Sequence, residues 1–162
     1  MFIILLLFLA FTAHTVANPH LFVYVNNTGS QNEIHVVYQR KYCWYPKDLY
    51  TLQIIRPGEV RLLRTEADNN LAHLCYARSK RIEVRFTAEY PYLKFGFAPN
   101  VTNYVLFRFD YTGGQWKFSY DVKRKAGEKK LVKKWKNWID GGNYYCVLKM
   151  IDVLIDPPMQ FS

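Results

Sequence analysis

With 162 residues, 50% of them apolar and 17% aromatic, the chain has material for one hydrophobic core and too little for two comfortable domains. Its net charge of +9 is concentrated: eight basic residues and one acid, Glu128, fall within residues 123–136, and the rest is nearly neutral. Every apolar run after Pro19 is broken by charge within a few residues, which excludes a membrane span in the body of the chain, and no internal repeat or low-complexity tract is present.

Residues 1–17 carry no charge, 3–11 are almost wholly apolar, and Thr15-Val16-Ala17 supplies the small residues that signal peptidase accepts. They read as a secretory signal cut at or near Asn18, with an uncleaved anchor as the alternative. Residues 18–162 are then expected to form a single soluble, secreted domain. Three cysteines, Cys43, Cys75 and Cys146, suit an oxidising compartment with one disulfide and one thiol left over. All three pairings remain open, and the odd thiol is either buried or joins two chains. Asn26 and Asn100 head sequons for glycosylation in a eukaryotic secretory pathway.

Residues 21–25 form a β run ending in the turn cluster Asn26-Asn27-Thr28-Gly29, and 33–39 alternate with Ile34, Val36 and Tyr38 on one face. The two are expected to pair as a hairpin. A basic, aromatic loop over 40–48 holds Cys43, Trp44 and Tyr45, and Trp44 and Tyr45 are candidates for an exposed contact surface. Strands are expected at 50–56 and 59–64 around the Pro57-Gly58 turn, at 71–77, at 80–87 with Ile82, Val84 and Phe86 inward, and around Leu93, Phe95 and Phe97.

The clearest element spans residues 103–123. Gly113-Gly114 suits a type I′ turn, and a two-residue loop fixes partners whose numbers sum to 227. One face then pairs Tyr111 with Trp116, Phe109 with Phe118, Phe107 with Tyr120 and Val105 with Val122, and a one-residue slip would turn that whole row to water. The hairpin is expected at the centre of an antiparallel sheet with one buried face. About nine short strands at intervals near ten residues point to a mainly β fold, an antiparallel β-sandwich.

Beyond it, Leu131, Trp135 and Trp138 recur at i, i+4 and i+7 among lysines, which predicts a C-terminal basic amphipathic helix stopped by Gly141-Gly142. Residues 144–155 read equally as strand or helix until Asp156-Pro157-Pro158. The binding surface expected from this region comprises Lys123, Arg124, Lys125, Lys129, Lys130, Lys133, Lys134, Trp135, Lys136 and Trp138, which would attract anionic headgroups, sulfated glycans or nucleic acid. Export makes chromosomal nucleic acid a poor partner. The bland alternative is that the tryptophans cover one end of the sandwich and the lysines solvate the helix.

In this order the elements resemble the plant self-incompatibility protein homologues, small secreted β-sandwich proteins of the stigma type. The resemblance rests on the strand ending in Val25-Asn26-Asn27, the strand over 34–38, the leucine-led strand from Leu52 into Pro57-Gly58, the aromatic pair over 105–125, and the Trp138-to-Gly142 element. The chain departs from the pattern at Tyr38-Gln39, where members usually carry a His-Cys pair, and at Arg108, where they carry a further cysteine. The resemblance implies an extracellular ligand acting through a cell-surface receptor, with no catalysis.

The residues themselves offer no catalytic constellation. His73 and Cys75 lie two apart, with His35 and Cys43 elsewhere, but no CxxC or HxxxH spacing supports a metal, and no GxSxG or phosphate loop occurs. No enzyme activity, metal or cofactor is expected. The functions expected are a signalling or effector ligand for a cell-surface protein, or a protein that docks on an anionic membrane or glycosaminoglycan through the basic segment, with a hydrolase a distant third.

Overall fold

A computed structural model of the chain describes residues 18–89 and 101–153. The expected signal, the strand around Phe95, the Asn100 sequon and the Asp156-Pro157-Pro158 stop lie outside them. Ten strands appear: β1 (His20–Asn26), β2 (Glu33–Tyr42), β3 (Trp44–Tyr45), β4 (Gln53–Ile55), β5 (Val60–Ala67), β6 (Lys80–Glu89), β7 (Val101–Thr112), β8 (Gln115–Lys123), β9 (Val132–Asp140) and β10 (Asn143–Met150). They form two five-stranded sheets, β3-β5-β1-β10-β9 and β4-β2-β6-β7-β8. Alternate residues of both sheets meet in one core, from Leu21, Val23 and Val25 on β1 to Ile82, Val84 and Phe86 on β6 and Cys146 and Leu148 on β10.

The β7–β8 hairpin has the register set by Gly113-Gly114, both at positive φ, with Phe109 opposite Phe118 and Val105 opposite Val122. It is not the centre of its sheet: β8 is an edge strand. Nor do β1 and β2 pair, because the turn between them carries the chain from one sheet to the other. All strand pairs are antiparallel except β1 with β10, which are parallel.

The expected C-terminal helix is absent. Residues 132–140 are an edge strand, and Gly141-Gly142, at φ 56 and 79, form the two-residue turn of a second hairpin rather than a helix stop. The i, i+4, i+7 spacing is overridden because Trp135 is an extra residue: Lys136 faces Val147 while Lys134 faces Leu148, a bulge that breaks strict alternation. The ambiguous segment 144–155 resolves as the interior strand β10. Residues 71–77 are not a strand but a 3₁₀ turn, Leu71–His73, within a loop, and a second such turn, Lys47–Tyr50, precedes β4.

Cys43 and Cys75 are disulfide-bonded, and Cys146 is a free thiol buried in the core. Desolvation pushes that thiol's pKa well above its ordinary value. Cys146 is therefore no disulfide partner, and its burial keeps it from a second chain.

Trp44 is not an exposed contact residue: it is 2% exposed and stacks on Phe109 at 5.3 Å. The cause is local, since Cys43 adopts φ 50 and turns the chain so that Trp44 pairs with Ala67 of β5 and enters the core. Beside this disulfide Lys80 is wholly buried, donating to the carbonyl oxygens of Cys75 and Arg78 and lying 4.7 Å from the Trp116 ring centroid. Burial pushes its pKa down from 10.5 to about 8, with Asp68 pulling weakly the other way. Because the folded pKa lies below the unfolded one, the stability that Lys80 contributes grows as pH rises from about 8 to 10.5 and is lost as pH falls through that range. Urea midpoints across that window should show the wild type gaining on Lys80→Met with rising pH. Parallel curves would mean that Lys80 does not titrate there.

Candidate functional site

The basic segment is distributed over the molecule by the turn between β8 and β9. Lys123, Arg124 and Lys125 line an open groove of about 500 Å³ on the outer face of the second sheet, with Arg40, Glu83 and Tyr104. Arg40 there is already paired with Glu83 at 3.1 Å. The crossing loop carries Lys129 and Lys130 and is clasped from below by Asn103, a fully buried residue of β7. Its Oδ1 accepts from the backbone N–H groups of Leu131 and Val132 at 2.8 and 3.1 Å, and its Nδ2 donates to the carbonyl of Lys129 at 3.1 Å. Glu128, the segment's one acid, accepts from the backbone N–H of Thr102.

β9 then runs along the edge of the first sheet with every residue from Lys133 to Asp140 exposed. Because of the bulge its side chains part. Lys134 leans inward, donating to the carbonyl of Tyr120 at 2.8 Å with its ammonium 4.8 Å from that ring's centroid. The outer face carries Lys133 opposite Lys149, Lys136 opposite Val147 and Trp138 opposite Tyr145. Trp138 stacks on Tyr145 at 5.2 Å and 4°, Tyr145 on Phe22 at 5.1 Å and 17°, and Trp138 also on Tyr24 at 6.1 Å. Rings so close and so nearly parallel cannot lie side by side in one plane. They overlap in offset stacks across the strands.

Cations continue this ladder. The Lys136 ammonium lies 5.2 Å from the Trp135 ring and 5.5 Å from the Trp138 ring, and the Lys149 ammonium lies 3.2 Å from Trp135. The sequence Lys149, Trp135, Lys136, Trp138 thus alternates charge and indole, holding two long flexible side chains in place. Among the described residues no carboxylate lies within ion-pair distance of Lys133, Lys136 or Lys149. Lys133 and Lys149 face each other directly, an arrangement that like charges make unfavourable.

Of the expected surface, the structure therefore gathers Lys133, Trp135, Lys136 and Trp138 on one face. It sends Lys123, Arg124 and Lys125 to another and turns Lys134 inward. Lys149, Phe22, Tyr24 and Tyr145 were missed by the sequence reading; the alternation of Phe22 and Tyr24 against buried Leu21, Val23 and Val25 is the signal that could have found the first two. Tyr45 is half-buried, its hydroxyl 3.2 Å from His73 Nδ1, which in turn lies 2.8 Å from Asp68 Oδ2. Burial and the neighbouring Asp68 raise the Tyr45 pKa. Burial works to raise the pKa of Asp68, but hydrogen bonds from the Asn70 N–H, His73 and Tyr45 outweigh it and leave the carboxyl below its ordinary value. The group is thus locked internally. Asn26 ends β1 partly exposed, its Oδ1 accepting from the backbone and hydroxyl of Thr28 at 3.0 and 2.6 Å. Among the described residues no cluster of three or more His, Cys, Asp or Glu is placed to hold a metal ion.

Comparison of the chain with family models, curated proteins and solved structures finds no match. The reading of this face therefore rests on its own geometry.

Asn103 is the residue on which the placement of β9 hangs. Asn103→Ala should cost about 2–4 kcal/mol by leaving two buried N–H donors unpaired. Amide exchange over 132–140 should accelerate far more than over β1. Equal acceleration of both would show that the clasp does not position the edge strand.

Proposed function

We propose that the chain is a secreted binding protein that docks on acidic or sulfated glycans at a cell surface through the outer face of β9 and β10. The observation that carries this reading is the unneutralised trio Lys133, Lys136 and Lys149, two of its members in direct cross-strand opposition. Lysines on an exposed edge strand have a bland purpose, since they prevent edge-to-edge pairing, and the Trp135 bulge serves the same end. That purpose accounts for β9. It does not account for Lys149, which lies on an interior strand. A polyanion lying across the face relieves the repulsion among the three cations, and the indoles between them reduce the entropy lost on binding. A linear, flexible polyanion suits the outer face of a sheet whose aromatic rings are already stacked on one another and so have little freedom to insert into a membrane.

The resemblance to the self-incompatibility protein homologues supports a second reading, in which the partner is a cell-surface protein receptor. Its contact surface would be the groove beside Lys123, Arg124 and Lys125. The two readings share secretion and binding without catalysis.

Heparin affinity separates them. The mature chain should be retained at physiological salt, and Lys133→Gln, Lys136→Gln and Lys149→Gln together should lower its affinity roughly tenfold or more. Lys134→Gln, whose ammonium is occupied by Tyr120, should lower stability and leave retention nearly unchanged. Equal effects from the two variants, or no retention of the wild type, would count against the glycan reading.

A further inference from the structure

The loop between β5 and β6 carries the most exposed large apolar side chains among the described residues: Leu71 and Leu74 are 71% and 69% exposed, and Tyr76 follows at 44%. They are held there firmly. Cys75 is bonded to Cys43, Asn70 accepts from the Ala72 N–H at 2.8 Å, Asn69 accepts from the Ala77 N–H at 2.8 Å, and Lys80 anchors the Cys75 and Arg78 carbonyls from inside. Leu74 sits at φ 59, a left-handed conformation that glycine or asparagine adopts far more readily. The non-glycine residues at positive φ among the described residues, Cys43, Lys47, Leu74 and Ala77, all belong to this one end. A branched apolar residue kept strained and facing water is the reverse of what a solvent loop needs.

The charges at this end are also one-sided. Asp68 is occupied by His73, Glu66 by Asn18 and Lys47, and Asp110 by Ser79. Arg78 and Arg81 group around Tyr42, within 3.5 Å of its hydroxyl and 5.8 Å of its ring centroid respectively, with no ion-pair partner among the described residues. Projecting leucines and a tyrosine beside unpaired guanidiniums are the chemistry of shallow insertion into an anionic bilayer, with apolar groups below the headgroups and cations among the phosphates. A protein partner would need a pocket shaped to each projecting leucine; a lipid surface does not. The Asn18 side chain accepts from the Asn69 N–H at 2.7 Å, which ties the backbone at the base of this loop to the segment before β1.

We propose that the tip formed by residues 71–76 is a membrane-docking loop that inserts shallowly into the surface of an anionic lipid bilayer. It acts independently of the glycan-binding face on β9 and β10.

The test is co-sedimentation of the mature chain with vesicles of phosphatidylcholine alone and with vesicles containing about one-third phosphatidylserine, at physiological salt. The wild type should pellet with the anionic vesicles. Leu71→Ser combined with Leu74→Asn, the latter chosen because asparagine tolerates φ 59, should reduce partitioning about tenfold with heparin retention and the thermal midpoint unchanged. Cys146 is buried, so Leu71→Cys can be labelled selectively with an environment-sensitive dye, whose emission should shift to the blue on the anionic vesicles. The proposal is overturned if the double variant pellets like the wild type, if the wild type pellets with neither vesicle, or if the dye stays in water. Loss of pelleting only in the triple variant at Lys133, Lys136 and Lys149 would assign lipid binding to the other face, and would equally overturn it.

Discussion

One buried carboxamide determines where this protein carries its charge. Asn103 reaches from the inner side of β7 to the segment that leaves the second sheet and enters the first, and it satisfies two N–H groups and a carbonyl that no strand is there to pair. Without such a clasp, eight residues bearing four cations, 124–131, would have to cross the end of the sandwich with their backbone polar groups unpaired. The crossing fixes the start of β9 at Val132, the register follows from the glycine turn at the other end, and the bulge at Trp135 absorbs the mismatch between them. From that bulge come both the inward turn of Lys134 and the outward ladder of Lys136, Trp135 and Lys149.

Much of the fold was legible because burial and local chemistry agreed. In β6 and in the β7–β8 hairpin the alternation, the turn glycines and the aromatic pairing all favour one answer, and the register follows to the residue. The segment 129–139 was misread because two tryptophans and a leucine fell at helical spacing by coincidence with a bulge. The Asp140-Gly141-Gly142-Asn143 stretch held the same turn chemistry as Gly113-Gly114, and applying it twice would have favoured a strand. Trp44 was illegible for another reason: its burial depends on a disulfide and on Cys43 adopting a left-handed conformation, neither of which leaves a periodic trace. The candidate face was half legible. Its β9 residues are contiguous in sequence and Lys149 joins them through the β9–β10 hairpin, whereas Phe22 and Tyr24 reach it through a long-range pairing of β1 with β10 that no local pattern encodes.

Buried polar side chains recur where the chain changes sheet. Asn27 donates to the carbonyls of Asn32 and Ile55, and Asn32 accepts from the Val153 N–H, so the β1–β2 turn and the segment after β10 are fastened together much as Asn103 fastens the crossing from β8 to β9. Lys80 does the same for the disulfide loop. These groups give up solvation in return for fixing irregular backbone, which lets a small sandwich hold its loops rigid.

The parallel pairing of β1 with β10 also bears on how the chain is made. Among the described strands the first to emerge during synthesis, β1, has as its neighbour the last, β10, so the first sheet stays incomplete and β1 keeps one unpaired edge until β10 has appeared. Both partners of the disulfide emerge well before Cys146. The correct bridge can therefore close while the competing thiol is still being synthesised, and when that thiol arrives the core removes it from exchange.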